Sequence, residues 1–303
     1  MKRDASLDIM KGIGIVAVVF GHCPLFPYNT FIYSFHMPLF FLLAGYLFHS
    51  KPIKIALKKD SQRLILPYIV FSLISCLKFT VTKGIQGDYN AMAEVWWDAF
   101  CGKCGILWFL VALFVCKNVY NIISHTIQSN VTRYIVGGAI SLLATIEAYN
   151  TDYLYWGILT GCSAMLFFLV GRYAETYRVK WYVICMCIIC WLFALQYGRI
   201  DMDIVRYKCY PLDVLGACGA IWLIHVLSKK IATKDNFLSR IMIWLGRYSL
   251  VVLCMHHLTI LLDPNARFHT QTWYVYLFID FSIILPLTYL STKVALTKRF
   301  FQV

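Results

Sequence analysis

The sequence is poor in charge. Only 14% of its 303 residues are Asp, Glu, Lys or Arg, against roughly 25% in a globular domain, while 60% belong to the hydrophobic set. That balance excludes a disordered chain and an ordinary soluble domain, because there is far more apolar surface than one aqueous core can hide. Acidic residues are the scarcest, 15 against 28 basic ones, leaving a formal charge of +13. Runs of alternating polarity are missing, which argues against a β-barrel. No GxSxG string occurs, so a serine-hydrolase nucleophile elbow has no support. The twelve cysteines show no disulfide spacing. Cys101 and Cys104 form a lone CxxC without the two further ligands a zinc site requires, so this pair reads as a disulfide or two free thiols.

What is present is a series of apolar segments, near 9–26, 31–48, 64–82, 105–122, 132–148, 154–173, 181–197, 209–228, 241–262 and 273–296. At ~20 residues per span, they predict an all-α integral membrane protein, a bundle of about ten transmembrane helices. Residues 1–303 then form a single transmembrane domain with no soluble domain attached. The N-terminal stretch has a basic start and an apolar run but no small-residue cleavage site, and reads as an uncleaved first helix. Placing both termini in the cytoplasm puts 19 Lys and Arg inside, among them Lys51, Lys54, Lys58, Lys59, Arg63, Lys229, Lys230 and Lys234. Only Lys83, Lys103, Arg199, Arg206, Lys208 and Arg267 fall outside, a bias of 19 to 6 that fixes this orientation. The positive balance therefore reports topology rather than nucleic-acid binding.

Polar groups inside spans are costly and mark pathways and sites. In LDIMKGIGIVAVVFGH, Lys11 and His22 are eleven residues apart, a turn of about 1100°, which returns to the same face of a helix about 16 Å further along. His36 enters the second span from the side where His22 leaves the first, so two imidazoles are expected at matched depth on consecutive antiparallel helices. Pro38 and Gly45 are expected to loosen the backbone around His36. Chemistry at a hydroxyl needs a base for its proton and donors for any oxyanion that develops. Histidine suits the first task. His22 reads as the general base, and His36 as a second base, a donor, or the partner that orients His22. Direct attack by the hydroxyl and a transient covalent bond to a histidine both remain open.

The strings LDIMKGIGIVAVVFGH, SFHMPLFFLLAGYLF, RLILPY, LWFLVALF and LGRYSLVVLCMHH together resemble the acyltransferase-3 family of integral membrane acyltransferases. They occur in the family's order along nearly the whole chain. The resemblance implies a ten-helix domain of a bacterial plasma membrane that moves an acyl group, usually acetyl from cytoplasmic acetyl-CoA, onto sugar hydroxyls of surface glycans or their lipid-linked precursors. It implies functional roles for His22, His36 and Arg63. Where the family commonly has Arg, this chain has Lys11, as in the fucose 4-O-acetylase-like branch. A lysine keeps the charge but loses the bidentate fork.

On this reading Lys11 and Arg63 bind the phosphates of acetyl-CoA, and no metal is involved. Lys58 and Lys59 serve topology and lipid headgroups or assist at the same mouth. Trp108, in the WFL element, either walls the acyl pocket or belongs to an aromatic belt. Ser249 and His256 share a face of the ninth span, and His256 resembles the family's terminal histidine. Glu147, Asp152, Asp201, Asp203 and Arg206 fall in outer loops or span ends where a saccharide would arrive, although solvated loop charge is the default reading of them. The main alternative is a multi-span transporter or flippase for a glycan or small metabolite, against which no inverted repeat is visible.

Overall fold

The computed structural model describes residues 4–151, 157–263, 272–294 and 300–301. Lys2, Arg3, Asp152, Asn265, Arg267, Lys298 and Arg299 lie outside the described residues. The chain is almost wholly helical. In order it forms α1 (Ala5–Gly21), α2 (Asn29–Tyr33), α3 (His36–Tyr46), α4 (Ile53–Asp60), α5 (Leu66–Ile85), α6 (Tyr89–Phe100), α7 (Trp108–Thr126) and α8 (Asn130–Asn150). There follow α9 (Ile158–Ser163), α10 (Met165–Thr176), α11 (Trp181–Tyr197), the two-residue strands β1 (Ile200–Asp201) and β2 (Arg206–Tyr207), and α12 (Tyr210–Ala232). The last helices are α13 (Phe237–Arg247), α14 (Ser249–Leu262) and α15 (Trp273–Lys293).

Among the described residues, six helical runs are long and apolar enough to cross a membrane: Ile53–Ile85, Tyr89–Thr126, Asn130–Asn150, Ile158–Thr176, Tyr210–Ala232 and Trp273–Lys293. The pair α13 and α14, bent by 80° at Tyr248, makes a seventh if it counts as one span. The protein is thus an all-α membrane protein. Among the described residues each apolar segment is built on a helix or a broken helix pair, but α1 and α11 have 17 residues each, and α2 and α3 have 5 and 11. These fall short of a full span by length alone.

The polarity of the bundle is that of a protein in lipid. Ile135, Leu142, Leu143 and Ile146 of α8, and Phe278, Tyr289 and Leu290 of α15, point outward. Asp8, His36, Asp213, His256, His257 and Asp280 are buried. Hydrocarbon solvates the first set, and only other protein groups can satisfy the second.

At the centre stands α1, buried on most of its circumference. Asp4 caps its start by accepting from the Ser6 backbone N–H at 2.8 Å. It crosses α13 where Gly12 meets the Met242 carbonyl and Gly246 meets the Asp8 carbonyl, a backbone-on-backbone approach that leaves no room for a Cβ at either position. The crossing brings the Asp8 carboxylate 3.5 Å from the Arg247 guanidinium. Two breaks shape the interior. The helix of the second apolar segment is interrupted at Ser34 and Phe35, so that His36 begins α3 instead of lying within a helix. Pro38 then falls in the first turn, where its missing N–H costs nothing, and Gly45 packs against the Phe168 carbonyl. The expected loosening around His36 is instead a clean break before it. The second break is a π-helical turn over Ser61–Ile65, which carries Arg63.

Candidate active site

A cavity of about 1020 Å³ runs through the bundle beside α1. Lys11, Ile15, Val18 and His22 all line it, at steps of four, three and four, so one face of α1 forms a wall from one mouth into the interior. The five residues singled out from the sequence, Lys11, His22, His36, Arg63 and Trp108, face this same space.

His22 and His36 are held alike. His22 caps the end of α1, and its Nδ1 donates to the Val18 carbonyl at 2.7 Å. His36 Nδ1 donates to the Ile32 carbonyl at 2.9 Å, across the break between α2 and α3. A carbonyl only accepts, so each Nδ1 must carry the proton, and each Nε2 is left as the basic nitrogen of a neutral ring. That is the tautomer a general base needs. The Tyr33 ring stands edge-on to His36, centroids 5.0 Å apart. His256 packs its ring against His22, centroids 5.6 Å apart at 69°. His256 Nδ1 donates to Thr259 Oγ1 at 3.2 Å, since that hydroxyl gives its own proton to the His256 carbonyl at 2.8 Å. His256 Nε2 meets no partner among the described residues.

One mouth is basic. Lys51, Lys59, Arg63, Lys117 and Arg247 line it together with Lys11. Lys117 forms an ion pair with Asp60, which also receives the Asn118 amide at 3.5 Å. Asn121 fixes the Lys51 backbone by accepting from its N–H at 3.1 Å and donating to its carbonyl at 2.9 Å. Lys58 does not line the cavity whereas Lys59 does, so the two neighbours separate by helical phase.

The other mouth carries Asp98, Lys103, Asp201 and Asp203. Asp201 and Asp203 are brought there by a hairpin in which Ile200 pairs with Tyr207 and Asp201 with Arg206. Ile200, Met202 and Val205 of this loop are buried, so it folds inward. Tyr149 anchors it through its hydroxyl, which donates to the Tyr207 carbonyl at 2.7 Å and accepts from the Tyr207 N–H at 2.8 Å. Arg206 joins the anchor by donating to the Ala148 carbonyl at 2.6 Å and lying 4.7 Å from the Tyr149 ring. Of the polar loop residues read from the sequence, Asp201 and Asp203 therefore face the cavity, Arg206 fastens the hairpin, and Glu147 is exposed to the outside. Solvent still reaches the Asp203 side chain, yet partial desolvation of the carboxyl, with the Asp201 carboxylate beside it, lifts its pKa to about 6.

Trp108 and Phe109 form part of the middle wall, and Phe109 is wedged between Phe40 and Phe41 at 5.6 and 5.3 Å. Ser249 also lines the cavity. Cys101 and Cys104 are both free thiols, which decides between the two readings of the CxxC. Among the described residues no His, Cys, Asp and Glu cluster is suited to a metal ion. The sequence reading missed Arg247 and Lys117 at the basic mouth. The signal for each was a basic residue inside an apolar segment, 241–262 for Arg247 and 105–122 for Lys117.

A family model described as an acyltransferase domain, Acyl_transf_3, matches residues 4–262, and the chain belongs to that family. Nodulation protein NolL of Mesorhizobium japonicum is 24% identical over 216 residues, 65% of this chain and 57% of that protein. Nodulation protein NolL of Sinorhizobium fredii is 28% identical over 142 residues, 39% of this chain and 37% of that protein. The chain thus spans little more than half the length of the first of these relatives, and less of the second. No solved structure matches it.

Proposed function

We propose that the chain is a multi-pass O-acyltransferase of a bacterial plasma membrane, taking acetyl from coenzyme A at the basic mouth and delivering it to a saccharide hydroxyl at the opposite mouth. The observation that carries this reading is the single cavity along the Lys11, Ile15, Val18 and His22 face of α1, which leads from a cluster of cations to two imidazoles whose Nδ1 atoms are already committed. Membership of the acyltransferase family supports the reaction class.

The roles follow from the chemistry. Lys11 and Arg63, with Lys117 and Arg247 beside them, attract the donor's phosphates through charge-assisted bonds. The thin pantetheine arm lies along Ile15 and Val18, and Trp108 walls the acyl group. His22 Nε2 takes the proton of the acceptor hydroxyl as that oxygen attacks the acyl carbon. His36 serves as the second base, a donor or the group that orients the reacting pair. Asp98, Asp201 and Asp203 offer acceptor oxygens to sugar hydroxyls. Lysine at position 11 favours a sugar acceptor of the kind handled by the fucose 4-O-acetylase-like branch.

Residues 1–303 act as one domain of ten crossings with both termini in the cytoplasm, a topology supported by the 19 to 6 basic-residue bias. The test compares surface glycans of a deletion strain and its complemented parent for mass and base-labile acetyl ester. The reading requires esters that vanish with the gene and return with it. Unchanged esters, with a saccharide or metabolite that crosses the membrane unmodified only when the gene is present, would replace it by a transporter.

A further inference from the structure

The cavity wall holds a second pair of reactive side chains. Ser75 of α5 and His257 of α14 are 182 residues apart in sequence, yet Ser75 Oγ lies 2.7 Å from His257 Nε2. Both line the cavity and are 2% and 5% exposed. The Ser75 hydroxyl can also donate to the Phe71 carbonyl at 3.2 Å, and the shorter histidine contact competes for that one proton. With the hydroxyl proton directed to Nε2, the His257 ring carries its own proton on Nδ1. That nitrogen is buried and has no hydrogen-bond partner among the described residues. Gly105, at φ +46°, faces this side of the ring, and a Cβ there would come within 3.3 Å of Cε1. The contact thus joins α5 to α14 without using all of the imidazole's hydrogen-bonding capacity. Lys78, three residues after Ser75, lines the same cavity and holds an ammonium whose first proton goes to the Leu261 carbonyl. An ammonium has two more protons to offer. His256, adjacent to His257, packs against His22, so this pair and the proposed acceptor base belong to one connected group.

We propose that Ser75, activated by His257, carries the acyl group as a transient ester between donor and acceptor. The proposal rests on the acyl-transfer reading and adds a covalent stage to it. In the first half, Ser75 Oγ attacks the thioester carbonyl carbon while its proton passes to His257 Nε2. The Lys78 ammonium stabilises the oxyanion. The carbon–sulfur bond breaks, and the departing sulfur takes the proton from His257, giving acyl-Ser75 and free coenzyme A thiol. In the second half, His22 Nε2 takes the proton of the acceptor hydroxyl, whose oxygen attacks the ester carbon. The bond to Ser75 Oγ breaks, and the proton is returned to that oxygen. Two halves let donor and acceptor use opposite mouths in turn, with no need to meet in one complex.

The test is to incubate the purified protein in nanodiscs with [1-14C]acetyl-CoA and no acceptor, then quench in acid. The proposal predicts a burst of up to one coenzyme A thiol per protein, label retained on the polypeptide and released by alkaline hydroxylamine, and an acetyl mass increment on the peptide bearing Ser75. Ser75→Ala removes the label, and Ser75→Cys restores it as a thioester. His22→Ala keeps it, because only the second half is blocked. Label on a histidine instead of Ser75 overturns the proposal. So does a wild-type protein that forms acetyl esters in cells yet gives no burst, and in that case the acyltransferase reading stands with direct transfer. A wild-type protein that forms no acetyl ester in cells and shows no burst removes both. The wild-type mapping decides the matter even if Ser75→Ala does not fold.

Discussion

Replacing Lys11 by Met removes one cation from the wall of the basic mouth while keeping an unbranched apolar stem of similar reach. Lys11 stands about 16 Å from His22 along the same face of α1, so the change cannot act through the imidazole directly. Asp8, one turn earlier, already has the Arg247 guanidinium at 3.5 Å and keeps that partner when Lys11 is lost. The effect should therefore appear in donor binding. One charge-assisted contact to a phosphate is worth roughly 1.5 to 3 kcal/mol, which is about ten- to a hundred-fold in Kd. Equilibrium dialysis of radiolabelled coenzyme A against protein in nanodiscs measures it, with saccharide KM as the control. Lys11→Met should raise the donor Kd by that factor and leave acceptor KM near its starting value, while Lys11→Arg should keep most of the affinity. Donor affinity unchanged in Lys11→Met, with the protein folded, would refute the assignment and leave Lys11 as a structural neighbour of Asp8 and Arg247.

Topology gives a second prediction: on a cysteine-free background, single cysteines near Lys54 and Lys234 should be shielded from an impermeant external thiol reagent, and one near Asp88 should react. External labelling near Lys54 would invert the orientation and the entry side of the donor. Asp203 gives a third. Its carboxyl, lifted to about 6 by desolvation and the Asp201 carboxylate, is neutral below that pH and charged above it, so acceptor kcat/KM should change between pH 5 and 7 and Asp203→Asn should flatten the change. The sign for stability is the reverse of the usual carboxylate: the folded chain holds this proton more tightly than the unfolded one, so between about pH 4 and 6 acidification favours the folded state through this group. An identical pH profile in Asp203→Asn would remove the residue from acceptor binding.

The sequence was most legible where one helix suffices. The Lys11 and His22 face needs only the helical period, and it appears as a wall of the cavity. Lys51, Lys59 and Arg63 stand out in the sequence as a cluster of charge between apolar segments, and all three line the cavity. What stayed hidden depends on partners far along the chain. Asp8 finds Arg247 at a separation of 239 residues, and Ser75 finds His257 at 182; no periodicity encodes such a meeting. The break before His36 was also silent. Ser34 donates to the Phe31 carbonyl at 2.7 Å and accepts from Trp191 Nε1 at 2.9 Å, so the chain stops there because of a tertiary contact with α11. The hairpin at Ile200–Tyr207 is too short to show alternation, and its inward fold depends on Tyr149 from another element.

The most direct test of the account is the rate of acyl transfer by His22→Ala, measured beside its donor affinity. A general base contributes about 10² to 10⁴ in rate, and the Nε2 left open by the Nδ1 bond to Val18 is the atom that would supply it. Transfer to a saccharide hydroxyl should fall by that factor, with coenzyme A bound as tightly as by the unaltered protein. Near-normal transfer by the folded His22→Ala protein would contradict the account.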